Sequence, residues 1–472
     1  MRLEDLKKDF PKMPSEIRER IEREVERQMK VIRPLKKKSV AAAATVAVLL
    51  FGTTVCAGTI VYQMNREEVG KYGIKTKVEK NEASSDNKNK KVTNIPLVSM
   101  EVNYLPEGMR DLGDGKYGFE GSEHLGGVSM VLYRMDTGDD SFEMLDQNVQ
   151  KSENIDVGGR KGVYLELHKN GGKNLSFNQR IYLFFPEVHH ILEMYIAEDV
   201  KKEEALKIAE GINLKPDKNA KMIAENWSSH IGGTKEAEKE AGEGEEICLE
   251  ISKDDLKGIY QIGDTMKVSS GQGALDVKVT DVQILDNIEV LKKENLDEAF
   301  EKETDEKGNL LPATIRYMKK GDGVNTLDEK ISSKEVAQKL VYVTVEYQNN
   351  TEKNMKNILY SGSLLSMEKK DAGYAIYQGE QPKEGDTWDT VIKDSLIDWG
   401  GEMIYCDVLG GEEQKNYIDS LKVGEKKTVH LGIVVDEEQL KYSYLNLCGD
   451  GYTSEFSEAV LKTGLVDIQQ KK

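Results

Sequence analysis

From residue 96 onward, apolar and polar positions mostly alternate with period two, the signature of strands with one buried face. Residues 98–104, 128–134, 162–167, 180–185 and 190–196 read as strands. In the last of these, Ile191, Glu193 and Tyr195 fall opposite Leu192, Met194 and Ile196. The period then turns helical over 201–212, with Ala205, Leu206, Ile208, Ala209 and Ile212 on one side. This predicts an extracytoplasmic α+β domain over 96–216, an antiparallel sheet with a C-terminal helix. Residues 265–270, 274–285, 341–347, 358–367 and 427–435 alternate likewise and predict a strand-rich domain over 247–466. Residues 288–338 and 371–420 are longer than ordinary loops. They read as insertions carrying short helices, such as 294–303 and 333–340. Between the two domains, residues 217–246 form a polar, Gly- and Glu-rich linker that permits independent movement.

The first 95 residues follow another pattern. Residues 39–62 (SVAAAATVAVLLFGTTVCAGTIVY) contain no charged side chain. As a helix this run covers about 36 Å, enough for a bilayer core of about 30 Å. Arg33, Lys36, Lys37 and Lys38 precede it, whereas Arg66, Glu67 and Glu68 follow. The positive-inside rule then predicts a single-pass protein of the cell membrane, with a cytoplasmic N-terminus, an extracellular C-terminus and Tyr62 at the outer interface. A cleaved signal peptide is the competing reading, but the long stretch before the apolar run favours a retained anchor. Residues 1–38 form a cytoplasmic segment in which Ile17, Ile21, Val25 and Met29 make an i+4 stripe on a short helix. That stripe is either a docking face for a cytoplasmic partner or part of a membrane-proximal or frayed helix. Residues 63–95 are polar and read as a stalk.

Composition narrows the function classes. The chain has 472 residues and a formal net charge of −18, which argues against a nucleic-acid partner. Four cysteines exclude a disulfide scaffold. Cys406 and Cys448 follow apolar runs at strand ends and are the candidate disulfide, with reduced thiols as the alternative. His189 and His190 are adjacent in a strand and so face opposite sides, which favours structural roles over a shared metal. Asp136, Asp139 and Asp140 lack the spacing of a calcium loop. No phosphate loop, nucleophile elbow or HExxH motif occurs. The expectation is a protein that is not an enzyme and has no cofactor or metal.

Three segments carry a resemblance. YLPEGM at 104–109, a Gly-Arg-Lys-Gly-Val-Tyr turn at 159–164 and EDVKKEEALKIAEGI at 198–212 together resemble an uncharacterised α+β ectodomain family of Gram-positive bacteria. That family occurs in single-span membrane proteins that accompany extracytoplasmic-function sigma factors and resemble anti-sigma factors. VYVTVEYQNN at 341–350 and VGEKKTVHLGIVV at 423–435 resemble the immunoglobulin-like, telokin-like domains of secreted bacterial lipoproteins. The resemblance implies a multidomain chain with one transmembrane helix, an α+β domain and a β-sandwich-like C-terminal domain with insertions. It implies a membrane-anchored regulator whose cytoplasmic helix binds a sigma factor or another cytoplasmic protein, while the outer region senses an unknown external ligand. It carries no catalytic residues. A zinc-binding anti-sigma module is excluded, because residues 1–38 contain no His or Cys. The alternative is an envelope-anchored binding or structural module with no cytoplasmic role.

Overall fold

Alternating burial along the strands organises the chain into two β-rich lobes, seen in a computed structural model. It describes residues 53–57, 60–80, 95–120, 126–135, 141–169, 171–173, 175–220, 225–227, 250–270, 272–411, 414–448 and 456–469. The N-terminal lobe runs β1 (Thr53–Ala57), β2 (Ile60–Val69), β3 (Gly73–Lys80), β4 (Val98–Val102), β5 (Met109–Gly113), β6 (Lys116–Phe119) and β7 (Val128–Arg134). It continues through β8 (Ser141–Asp146), β9 (Val149–Val157), β10 (Arg160–Leu167), β11 (Gln179–Phe185) and β12 (His190–Ile196), then helix α1 (Lys202–Glu210), β13 (Ile212–Pro216) and β14 (Glu225–Asn226).

The strands β5-β6-β7-β12-β11-β10-β9 form a central sheet, with β14 added alongside β7. Both of its faces are covered, so its strands are apolar on both sides. Ile181, Leu183, Phe185, Leu192, Met194 and Ile196 pack toward α1 and the β4–β13 ribbon. Tyr182, Phe184 and Ile191 pack the other way, onto a second sheet ordered β1-β2-β3-β8. Trp227 seals that layer against Phe142, with ring centroids 4.2 Å apart.

This second sheet corrects the membrane reading. Val55 pairs with Tyr62 and Cys56 with Val61, so the described part of the 39–62 run forms antiparallel strands. Tyr62 is 1% exposed and lies between two sheets, away from any lipid interface. Residues 39–52, 58 and 59 lie outside the described residues. Among the described residues no helix is long and apolar enough to cross a membrane, and the single-pass cell-membrane localisation is not supported. The stalk reading of 63–95 gives way at β2 and β3. Ile74, Thr76 and Val78 point inward, while Lys75, Lys77 and Glu79 point outward. Lys77 pairs with Glu79 at 2.7 Å and with Glu143 at 3.3 Å.

The C-terminal lobe runs β15 (Glu250–Ser252), β16 (Ile259–Gln261), β17 (Thr265–Ser269), β18 (Ala274–Leu285), helix α2 (Ala299–Lys302), β19 (Ala313–Lys319), β20 (Glu329–Val336) and β21 (Gln338–Gln348). Next come β22 (Met355–Leu359), β23 (Ser363–Lys369), β24 (Gly373–Ile376), β25 (Thr390–Asp394), β26 (Met403–Cys406), β27 (Tyr417–Leu421), β28 (Lys426–Asp436) and β29 (Ser443–Asn446). Helix α3 (Glu458–Thr463) and β30 (Leu465–Asp467) complete it. The sheet β17-β18-β21-β28-β26 faces β22–β27 and the sheet β15-β24-β23-β29-β30-β16. Val341, Val343, Val345, Val429, Leu431 and Ile433 fill the core between them. The helix expected over 333–340 is absent. Those residues end β20 and begin β21, because Leu340 continues an apolar strand that is buried on both faces. Only the 294–303 segment contains helical turns, Lys293–Asn295 and α2.

The chain is therefore mostly β. The transmembrane helix and the α+β label are both replaced, since α1 has only nine residues and serves as a cover for a sheet. The lobes also touch, although the linker alone would allow independence. Lys71 and Tyr72 both donate backbone N–H groups to the Val324 carbonyl, at 2.8 and 2.6 Å. Lys173 of the first lobe reaches Glu303 of the second at 2.9 Å, and Glu303 is fully buried. Gly172 lies against Asp394 and Arg316, where a side chain would not fit.

Candidate functional site

A cleft of ≈ 230 Å³ opens on the small sheet β20-β19-β25 of the C-terminal lobe. Its floor follows from strand alternation. Ala313, Ile315 and Tyr317 of β19 share one face and form a small core with Val336. Arg316 faces the opposite way and pairs with Asp394 at 2.5 Å, both being nearly buried. The cleft and the lobe junction thus lie on the two sides of one strand.

The wall of the cleft is the 377–389 loop between β24 and β25. Gly379 (φ +77°) and Gly385 (φ +96°) bend it through left-handed conformations that residues with a Cβ rarely adopt. Asp386 accepts from the Lys383 N–H at 2.7 Å and closes a turn, and Asp389 N–H donates to the Met318 carbonyl at 2.9 Å. These bonds bring Trp388 against Tyr317, with ring centroids 4.9 Å apart and planes at 60°. The Tyr317 hydroxyl donates to Glu380 at 2.6 Å, and Lys334 reaches the same carboxylate at 3.0 Å. These two contacts hold the Glu380 carboxyl below its usual range, the tyrosine hydrogen bond contributing most. Ser332, paired across from Tyr317, and Gln381 add exposed polar groups. The result is an aromatic corner rimmed by a preset carboxylate, an amide and a hydroxyl, which suits recognition of a ligand with both apolar and hydrogen-bonding faces.

A second polar cluster lies between the sheets of the first lobe. Tyr182 Oη is 3.1 Å from Asp146 Oδ1 and 3.0 Å from Glu193 Oε1. Tyr133 donates to Glu193 Oε2 at 3.0 Å. A tyrosine hydroxyl has one proton, so Tyr182 satisfies only one carboxylate at a time. Burial pushes Asp146 up to about 7, helped by the Glu193 charge and opposed by the Tyr182 hydrogen bond and Arg180. Tyr133, Tyr182, Asp146 and Glu193 are buried, with the partly exposed Arg180 3.6 Å from Glu193 at the edge, which makes the cluster a structural element.

His430 and Asp407 form a third constellation, with Nδ1 2.8 Å from the carboxylate. The neighbouring Cys406 does not join it. Its side chain packs on the sandwich core, where burial raises the thiol pKa, the wrong direction for a nucleophile.

The residues singled out by sequence are dispersed. Ile17, Ile21, Val25 and Met29 lie outside the described residues, as do Asp136, Asp139 and Asp140. Cys406 and Cys448 are not bonded to each other, because they belong to different cores: Cys406 borders the sandwich interior and Cys448 lies with Leu365 and Val460 beneath α3. His189 ends the β11–β12 turn beside the Tyr62 hydroxyl, at 3.2 Å. His190 is buried, and burial lowers its pKa to about 4. Among the described residues no three His, Cys, Asp or Glu side chains are grouped to hold a metal.

The chain matches no protein family, curated protein or solved structure. With no membrane-spanning helix among the described residues and no family match, the membrane-anchored, anti-sigma-factor-like resemblance is not supported, whereas the β-rich fold of the C-terminal lobe is compatible with an immunoglobulin-like domain. Sequence reading missed the cleft altogether. Its residues are scattered from 317 to 388, and its only local signal is a tryptophan in a Gly-containing loop.

Proposed function

We propose that this protein is a non-catalytic binding protein whose recognition site is the Tyr317–Trp388 cleft. One observation carries the reading. The bent 377–389 loop holds an aromatic pair beside a solvent-accessible carboxylate that two neighbours have already oriented. A group fixed before binding loses little freedom on binding, which is how a modest cleft gains affinity. Neither His430 nor Cys406 stands in an arrangement that favours chemistry over binding.

The test is a titration of the purified chain with soluble saccharides and short peptides, followed by amide chemical shifts. Binders should shift residues of 377–389, and Trp388→Ala should weaken them at least tenfold at a temperature where the variant still gives the amide spectrum of the folded chain. A ligand that binds with full affinity to Trp388→Ala and shifts only residues elsewhere would overturn the assignment.

A further inference from the structure

We infer that the ligand is a neutral oligosaccharide that runs from the Tyr317–Trp388 corner to a second aromatic platform formed by Tyr377 and Tyr442. This rests on the reading of the cleft as the recognition site and specifies what it takes.

Tyr377 and Tyr442 stack with ring centroids 4.0 Å apart and planes at 21°. Both residues are half-buried, and each ring covers one face of the other. Lys441 lies over the Tyr442 ring at 4.7 Å, so Tyr377 is the ring left to meet a ligand and Tyr442 backs it. The two platforms flank one ion cluster, in which Lys334 reaches Glu380 at 3.0 Å and Glu438 at 3.9 Å. Tyr377 stands three residues before Glu380, and Tyr442 four residues after Glu438. Burial and Tyr442 raise the Tyr377 hydroxyl pKa, with Glu438 and Glu380 adding to it, so the ion cluster adjoins both aromatic pairs.

Pyranose rings present both flat C–H faces and hydroxyl edges. The faces stack on aromatic rings, and the hydroxyls donate to carboxylates such as Glu380. Cleft size argues in the same direction. At ≈ 230 Å³ it falls below the roughly 300–1,000 Å³ of pockets that enclose a whole small ligand. It therefore holds one unit of a longer molecule, whose next units need a further contact.

Two other ligand classes fit less well. An extended peptide would add to the open edge of β20. That edge carries a bulge at Ile331, between the Tyr317–Ser332 and Met318–Lys330 pairs, with lysines on either side. Both features blunt strand addition. An anionic polymer would meet no net positive surface, since Glu380, Asp386 and Glu438 stand among Lys334, Lys383 and Lys441 on a chain of net charge −18.

The experiment uses the full chain with cello-, malto- and chito-oligosaccharides of two and six units, an oligogalacturonate as the anionic comparison and a random peptide pool, all read by calorimetry. In at least one neutral series the six-unit sugar should bind about tenfold more tightly than the two-unit sugar. Trp388→Ala should abolish both. Tyr442→Ala should remove the length advantage and leave two-unit binding unchanged, while Tyr442→Phe should keep it. A length advantage that survives Tyr442→Ala overturns the second platform. Trp388-dependent binding of only the oligogalacturonate or only peptides overturns the sugar assignment and leaves the cleft standing. Binding of every ligand unaffected by Trp388→Ala, or no binding at all, overturns both.

Discussion

Each lobe contains a tyrosine that holds a carboxyl group, and the two pairs differ chiefly in their access to water. Tyr182 is sealed between the four-stranded and central sheets with Asp146 at 8% and Glu193 at 2% exposure. Tyr317 is also largely covered, but its partner Glu380 lies on an exposed loop. Both are tyrosine-to-carboxylate hydrogen bonds, 3.0–3.1 Å in the first case and a shorter 2.6 Å in the second. Their consequences are opposite. Burial drives the Asp146 carboxyl up to about 7, whereas hydrogen bonding and Lys334 draw Glu380 down. Solvent access thus turns the same chemistry into a buried stability element in one lobe and a solvent-facing group, the proposed ligand contact, in the other.

The largest expected effect is a pH dependence that only the sealed pair should show. The folded-state pKa of Asp146 is raised above its unfolded value near 3.8, to about 7. Between those values the folded state binds more protons, so this group's contribution is greatest at the acid end and falls as pH rises through the window. The loss should be on the order of 2–4 kcal/mol. His190 acts in the opposite direction over part of the same range, since its folded pKa is lowered from 6.5 to about 4. Its contribution rises with pH, so the informative quantity is wild type minus Asp146→Asn, in which the histidine cancels. Urea midpoints at pH 5 and pH 7.5 should show the wild type losing stability relative to the variant at the higher pH. Parallel behaviour of the two proteins would mean that Asp146 is hydrated in solution and that the contrast between the lobes fails.

Next in size is Tyr182→Phe. It removes the one hydroxyl proton that two buried carboxyl groups share and leaves at least one of them without a donor. Stranding a buried acceptor costs about 1–3 kcal/mol, which a denaturation midpoint resolves. A cost below about 0.5 kcal/mol, within the usual scatter for an unremarkable surface change, would show that the cluster is not closed to water.

How much of this was legible in sequence depended on whether one face of a segment was uniformly apolar. HILEMYI at β12 alternates cleanly, and its two faces enter two different cores as the pattern requires. The helical period at α1 is equally clear. The first sheet was misread because two signals competed. The uncharged run at 39–62 satisfies the length rule for a membrane helix, and the charges at Lys75, Lys77 and Glu79 hide the alternating Ile74, Thr76 and Val78. Composition described the outer face of β3 and missed the inner one. The Tyr182 cluster was visible only as a polar residue, Glu193, in an apolar strand. The Tyr317 cleft had no local signal beyond a tryptophan in a Gly-containing loop, because β19, β20 and the 377–389 loop meet only in three dimensions.

The smallest effect should come from Tyr317→Phe. The substitution removes the hydroxyl that donates to Glu380, yet the ring, its contact with Trp388 and the Lys334 ion pair remain. Glu380 can turn to water for the missing bond, so little desolvation energy is left uncompensated. The cost to stability should be about 0.5 kcal/mol or less, the scale of an exposed charge interaction. Ligand affinity should fall more than stability does, because the carboxylate loses its fixed orientation even though it keeps its charge. Measuring both quantities on one variant separates the roles of the two tyrosines. If Tyr317→Phe costs as much as Tyr182→Phe in denaturation and leaves binding unchanged, the hydroxyl of Tyr317 is a fold determinant like that of Tyr182, and solvent access is not what distinguishes the lobes.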